Sequence, residues 1–213
     1  MMTRGGDAMT GSAGQNGAIA ATPADGALWV FGYGSLMWKP GFPHDAAVRA
    51  VARGFRRRFC LRSIRWRGTP QAPGLVLGLA PDPDPAAACH GMAFRVPPPQ
   101  VAEVRAYLHE REMGTYSYIE TMAPVDLDGH GPARALAYVM DTAHPQFVDL
   151  PLPDQAAIIA RAAGPAGPNR DYLHQTVAHL RALGLREPEL EQLDALVRRM
   201  AGGSEAPEEG TPP

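Results

Sequence analysis

Between residues 28 and 141, short apolar segments alternate with residues that favour turns, and this spacing is the strongest constraint on the fold. Apolar runs bounded by glycine, proline and aspartate predict β-strands. The predicted strands cover residues 28–33, 48–62 (one or two strands), 75–80, 89–96, 118–127 and 134–141. Because these strands follow one another so closely, we expect them to pair antiparallel, an arrangement that can close into a barrel.

Helical patterns interrupt the strands once and then follow them. One helix is predicted over residues 98–110, after a run of prolines, and a second over residues 154–163 with Asp154 as its cap. A third is capped by Asn169 and ends at Gly184. A last amphipathic helix carries Leu190, Leu193, Val197 and Met200. Strands with one inserted helix, followed by a run of helices, predict an α+β fold.

The chain of 213 residues is long enough for one sizeable core, and its net charge of −2 indicates neither a nucleic-acid nor a membrane surface. No stretch approaches the roughly 20 apolar residues of a membrane span, and the N-terminus lacks the apolar core of a signal peptide.

We expect residues 1–27 and 201–213 to be disordered around a single domain at 28–200. Cys60 and Cys89 lack disulfide spacing, which predicts free thiols and a cytoplasmic protein.

The first strand runs into an unusual loop, with the sequence WVFGYGSL from Trp29 to Leu36. Two glycines allow a tight turn, and such a loop can direct several backbone N–H groups towards one anionic group. It lacks the further glycine, the helix and the lysine of phosphate loops, so a nucleotide site is disfavoured. Ser35 is a candidate nucleophile, but no histidine or aspartate stands in a recognisable relation to it, which favours a role in the turn.

A second segment, YLHEREMGTY, holds two glutamates close together. With about 100° per residue, Glu112 projects within about 20° of Val101 on the apolar face, whereas Glu103 and Glu110 project to the opposite face. A carboxylate directed towards a core is costly unless it is paired or protonated, and burial raises its pKa towards the range of a general acid or base. The alternative is a surface glutamate paired with a neighbouring arginine.

Other charged residues give weaker signals. The seven histidines show no metal-ligand spacing. A cluster of arginines is most simply explained by solvated strand faces, with one or two of them binding a substrate carboxylate as the alternative. Its members are Arg56, Arg57, Arg58, Arg62, Arg65 and Arg67.

Five segments, taken in order, resemble the ChaC-type γ-glutamylcyclotransferases over residues 28–200. They are WVFGYGSLMWKPGFP, GFRRRF, CHGMAFRV, YLHEREMGTY and AGPAGPNRDYL. The resemblance implies a small, mostly antiparallel β-barrel flanked by α-helices. It also implies cleavage of glutathione into 5-oxoproline and cysteinylglycine, a small-molecule substrate, and no metal or other cofactor. By position, it assigns Glu112 as the catalytic acid or base. It assigns substrate binding to Val30, Phe31, Gly32, Tyr33, Gly34, Ser35, Leu36 and Tyr116.

Two positions depart from the family pattern. Ser117 stands where an arginine often follows the tyrosine, and Pro168 stands where a basic or polar residue is common, with Arg170 nearby as a possible substitute. These departures leave the substrate open, so other γ-glutamyl amides and a non-catalytic γ-glutamyl binding module remain alternatives. The oligomeric state is not indicated by the sequence.

Overall fold

The computed structural model describes residues 25–115 and 117–202. Of the segments predicted to be disordered, 1–27 and 201–213, residues 1–24 and 203–213 lie outside the described residues, as does Tyr116. The strands are β1 (Leu28–Gly32), β2 (Ala46–Arg53), β3 (Phe55–Ser63), β4 (Gly74–Pro81), β5 (Ala88–Val96), β6 (Tyr118–Leu127), β7 (Gly131–Met140), β8 (Ala163–Gly164) and β9 (Gly167–Pro168). The helices are α1 (Val101–Glu112), α2 (Leu152–Arg161), α3 (Asn169–Ala182) and α4 (Pro188–Gly202).

Five strands close into a barrel in the order β1-β5-β2-β6-β7. All neighbours pair antiparallel except β1 and β7, whose parallel contact through Trp29–Ala135 and Val30–Leu136 completes the closure. The predicted α+β fold, a mostly antiparallel barrel flanked by helices, is therefore confirmed.

The strands β3 and β4 form a separate antiparallel hairpin beside the barrel. The predicted strand region 48–62 is thus two strands, which meet at Gly54 with a φ of 78°. One face of β4 contacts β7, and both α2 and α3 pack against β4. The hairpin consequently links the barrel to the C-terminal helices.

The strand β1 is buried on both faces, which explains its uninterrupted apolar sequence. Side chains alternate along a strand, so Trp29 and Phe31 join the main core, whereas Leu28 and Val30 join a second core. The second core also holds Val104 of α1. This packing places α1 against the barrel close to the end of β1.

The helix boundaries differ from the predicted ones for local reasons. A 3₁₀ turn at residues 98–100 delays the start of α1 to Val101, and α2 starts at Leu152 with Pro151, not Asp154, as its N-cap. Asn169 is the first residue of α3 rather than its cap. Its buried amide instead exchanges two hydrogen bonds of 2.7 Å with the backbone of Leu75, joining α3 to β4.

Both cysteines are buried free thiols, as predicted. Across residues 25–115 and 117–202, the structure contains no helix that is long and apolar enough to cross a membrane.

Candidate active site

The loop after β1 is a short 3₁₀ turn over Ser35–Met37. Neither Gly32 nor Gly34 has a positive φ, although Gly34, with φ −131° and ψ −131°, lies outside the usual helical and extended regions. At Gly32 the space for a side chain is small, because a Cβ there would lie 3.0 Å from the Leu36 Cβ and 3.3 Å from the Met37 nitrogen. The first N–H groups of such a turn have no partner within it, which leaves the amides of Ser35 and Leu36 available to a ligand.

This loop faces Glu112 across a cavity of about 110 Å³. Glu112 is the last residue of α1, and the packing of α1 against the barrel brings its carboxylate to the end of β1. The complete lining consists of Tyr33, Gly34, Ser35, Leu36, Val76, Leu77, Glu112, Tyr118, Tyr138 and Tyr172. Two segments that are distant in sequence thus meet in one small, partly enclosed site.

The Glu112 carboxylate is mostly withdrawn from solvent, with 19% of its side chain exposed. Burial raises its pKa above the usual 4.5, and the nearby Arg111 guanidinium, with Nε 3.1 Å from Oε1, offsets only part of this effect. Glu103 and Glu110 are exposed, so the helix projection that separated Glu112 from them is confirmed. A carboxyl group with a raised pKa beside a cavity is suited to transfer a proton.

The neighbouring Arg111 holds the loop in place. Its guanidinium donates hydrogen bonds to the Ser35 hydroxyl at 3.0 Å and to the backbone carbonyls of Lys39 and Pro40 at 2.8 and 3.0 Å. Because the same side chain contacts Glu112, it fixes the distance between the loop and the carboxylate. The Ser35 hydroxyl therefore has a structural partner rather than a catalytic base.

Four tyrosines line the cavity: Tyr33, Tyr118, Tyr138 and Tyr172. Burial raises the pKa of each, so all four stay neutral and can donate hydrogen bonds at physiological pH. The Tyr118 hydroxyl donates to the Leu77 carbonyl at 3.3 Å. The cavity is therefore lined by neutral tyrosines, and Glu112 is its titrating carboxyl group.

Arg57 supports the loop from behind. Its side chain is fully buried, and its Nε donates a 2.6 Å hydrogen bond to the Tyr33 carbonyl. The rest of the guanidinium binds the His90 carbonyl and the Glu187 carboxylate. The prediction of a solvated strand face is wrong for this residue, because side-chain alternation along β3 puts Arg57 on the inward face with Phe59.

The structure brings only part of the predicted site together. Tyr33, Gly34, Ser35 and Leu36 line the cavity with Glu112. The other predicted residues on β1 do not line it: Val30 and Phe31 are fully buried in the two cores, and Gly32 packs behind the turn. Tyr116 lies outside the described residues.

The two departures from the family pattern lie elsewhere. Ser117 is buried, with its hydroxyl 3.4 Å from the Gln146 side chain. Pro168 is the N-cap of α3, and its carbonyl accepts a 3.3 Å hydrogen bond from Arg67. The side chain of Arg170 is exposed and does not line the cavity.

Five lining residues were not predicted, since they come from separate elements of the fold. They are Val76 and Leu77 on β4, Tyr118 on β6, Tyr138 on β7 and Tyr172 on α3. No local spacing connects these positions, because the barrel and the hairpin create their proximity. For Tyr118 and Tyr138, the signal available in the sequence was an isolated tyrosine within a strand, since a buried tyrosine hydroxyl usually has a hydrogen-bond partner.

A family profile, curated relatives and solved structures all relate this chain to the same group of proteins. The profile of the ChaC-like protein family matches residues 28–200. The chain is 34% identical over 183 residues to a glutathione-specific γ-glutamylcyclotransferase of Escherichia coli, covering 85% of this chain and 78% of that protein. It is 35% identical over 191 residues to a protein of the same description from Schizosaccharomyces pombe, covering 82% and 94%. A crystal structure of a glutathione-specific γ-glutamylcyclotransferase from yeast superposes with a TM-score of 0.72 at 25% identity, covering 82% of this chain and 99% of that one.

Proposed function

This chain belongs to the ChaC-like protein family, and on that premise we propose a catalytic arrangement centred on Glu112. The protein is a glutathione-specific γ-glutamylcyclotransferase, a lyase that forms 5-oxoproline. The observation that carries the proposed arrangement is the meeting of Glu112 with the Tyr33–Leu36 loop in one cavity. The site therefore combines a carboxyl group of raised pKa with backbone N–H groups that have no partner within their own turn.

The reaction is an intramolecular exchange of one amide bond for another. The α-amine nitrogen of the γ-glutamyl group attacks its own γ-carbonyl carbon, a new C–N bond forms, and the bond to the cysteinyl nitrogen breaks. Glu112 accepts a proton from the attacking nitrogen and delivers it to the departing nitrogen, so no water is consumed. Because both reacting groups belong to one molecule, correct positioning supplies much of the acceleration, about 7–11 kcal/mol in favourable cases.

The loop holds the substrate on the side opposite Glu112. The N–H groups of Ser35 and Leu36 donate hydrogen bonds either to the substrate carboxylate or to the oxygen that becomes negative as the carbonyl is attacked. A donor that binds the oxygen as it becomes negative lowers the activation free energy by about 3–4 kcal/mol in comparable sites. The neutral tyrosines around the cavity exclude water and can donate further hydrogen bonds.

Two alternatives concern the same site. A cyclotransferase for other γ-glutamyl amides would use the same cavity, since the γ-glutamyl group is common to all these substrates. A non-catalytic binding module would have no use for a carboxylate kept in a desolvated position, because an unpaired buried charge is costly. The position of Glu112 therefore favours catalysis.

The test incubates the protein with glutathione, γ-Glu-Ala and γ-Glu-Cys and measures the release of 5-oxoproline by chromatography. We expect release from glutathione, with Glu112→Gln abolishing turnover while leaving glutathione binding largely intact. Glu103→Gln is the matched control, since Glu103 lies on the exposed face of the same helix. Activity that survives in Glu112→Gln but not in Glu103→Gln would refute the assignment, and release from γ-Glu-Ala alone would establish the first alternative.

We also place the protein in the cytoplasm as part of this proposal. Two buried free cysteines without a disulfide are typical of a reducing compartment.

A further inference from the structure

A second, larger cavity of about 570 Å³ adjoins the first. The two cavities share Val76, Glu112 and Tyr118 in their walls, so they are continuous at the proposed catalytic carboxyl group. The small cavity contains the loop and is the place for the γ-glutamyl group. A substrate whose scissile bond lies at Glu112 must extend its other half away from the loop, and the larger cavity is open on that side.

The charged side chains of the larger cavity are Arg62, Arg65, Glu110, Arg111 and Glu112. Arg111 and Glu112 contact each other, and Arg111 is further committed to the loop carbonyls. In contrast, neither guanidinium of Arg62 or Arg65 has an ion pair or a hydrogen bond within the parts of the chain that the structure describes. The cavity thus offers two cations to an incoming anion.

The segment that carries Arg65 is held firmly, although the side chain itself is exposed. The Ser63 hydroxyl accepts a 3.0 Å hydrogen bond from the Arg67 amide, and the Trp66 carbonyl accepts a 2.9 Å bond from the Ala166 amide. A Cβ at Gly164 would lie 2.4 Å from the same Trp66 carbonyl, so the two backbones pack tightly there. A fixed backbone presents the arginine side chain at low entropic cost to binding.

Trp66 adds an apolar surface beside these cations. It lines the larger cavity and, at 63% exposure, is the most exposed large apolar side chain among residues 25–115 and 117–202. An exposed indole next to arginines can pack against the aliphatic part of a ligand while the guanidinium binds its charged end.

We propose that the larger cavity binds the leaving group, and that Arg65 together with Arg62 selects leaving groups that end in a free carboxylate. This inference rests on the proposed function, which places the γ-glutamyl group in the small cavity. Arginine suits the task because its planar donors match a carboxylate in a bidentate arrangement. The carboxylate then distinguishes a peptide leaving group from an uncharged amine.

The test compares glutathione with its glycine carboxamide, which has the same shape without the terminal charge. We expect Arg65→Ala and Arg62→Ala each to lower kcat/KM for glutathione about 10- to 100-fold, mainly through KM, and to leave the carboxamide nearly unchanged. Arg65→Lys should recover part of the loss. Arg199→Ala, an exposed arginine of α4 outside the cavity, is the control and should affect neither substrate.

Equal loss for glutathione and carboxamide, or no preference of the wild-type protein between them, would overturn the inference. A second measurement separates it from the proposed function: calorimetric binding of the two ligands to the Glu112→Gln variant, with and without Arg65→Ala. If the wild-type protein failed to release 5-oxoproline while this binding preference and its loss in Arg65→Ala persisted, the catalytic proposal would fail and the leaving-group site would stand.

Discussion

Replacing Arg57 by methionine tests how much of the site depends on a single buried cation. The change removes a fully buried guanidinium that serves the Tyr33 carbonyl, the His90 carbonyl and the Glu187 carboxylate together. Methionine has a similar length and no charge, so the packing volume is largely kept. What is lost is the hydrogen bonding of two backbone carbonyls and the partner of a half-buried carboxylate.

The expected loss of unfolding free energy follows from how deeply Arg57 and Glu187 are buried. Removing one member of a buried ion pair costs about 3–5 kcal/mol of unfolding free energy. The Glu187 side chain is 23% exposed, so water relieves part of its unpaired charge and the lower end, about 3 kcal/mol, applies. For a chain of this size we expect Tm to fall by about 6–12 °C, since 1 kcal/mol corresponds to about 2–4 °C.

The assay is urea unfolding, with steady-state kinetics measured in parallel. Arg58→Ala is the matched control, because Arg58 is the next residue on β3, and its ion pair with Asp149, at 2.7 Å, lies at the surface. Such exposed pairs are worth about 0–1 kcal/mol. Arg57→Met should also raise KM, since the Tyr33 carbonyl loses its anchor. A loss of stability no larger than that of Arg58→Ala would refute the reasoning.

Two further predictions concern the reaction site. Because burial raises the pKa of Glu112, the folded protein retains this proton to a higher pH than the unfolded chain. The contribution of Glu112 to stability is therefore fully present below its unfolded pKa, near 4.5, and is lost as pH rises through its folded pKa. At neutral pH, Glu112→Gln should therefore be more stable than wild type in urea unfolding. Equal stability of the two proteins at that pH would contradict the burial argument. Ser35→Ala removes a hydroxyl that accepts a hydrogen bond from the Arg111 guanidinium, so kcat should fall by about 10- to 150-fold at most, since a hydrogen bond to a charged group is worth about 1.5–3 kcal/mol. A loss of several thousandfold would instead restore Ser35 as a nucleophile.

The sequence was sufficient to predict the residues whose position follows from local periodicity. Helical projection separated Glu112 from Glu103 and Glu110, and the abrupt end of an apolar strand indicated the loop at Tyr33. Both inferences need only the geometry of one element and its neighbour in the chain.

Other parts of the site depend on packing between distant elements. Arg57 was expected in solvent because arginine is seldom buried, although alternation along β3 already placed it with Phe59. The backbone carbonyls and the carboxylate that stabilise it come from three other segments, which the sequence does not bring together. The tyrosines of the cavity and the adjoining arginines depend in the same way on closure of the barrel and docking of the hairpin.

The parallel pairing of β1 with β7 has a consequence for how the protein folds. The first barrel strand finds its last neighbour only when β7 is present, so the barrel cannot close before that strand has left the ribosome. Contacts between such distant segments form slowly, because the chain between them must first be ordered. The loop at Tyr33 is synthesised first among the parts of the site but acquires its final surroundings last. A nascent chain that ends before β7 leaves one edge of β1 unpaired and open to other chains.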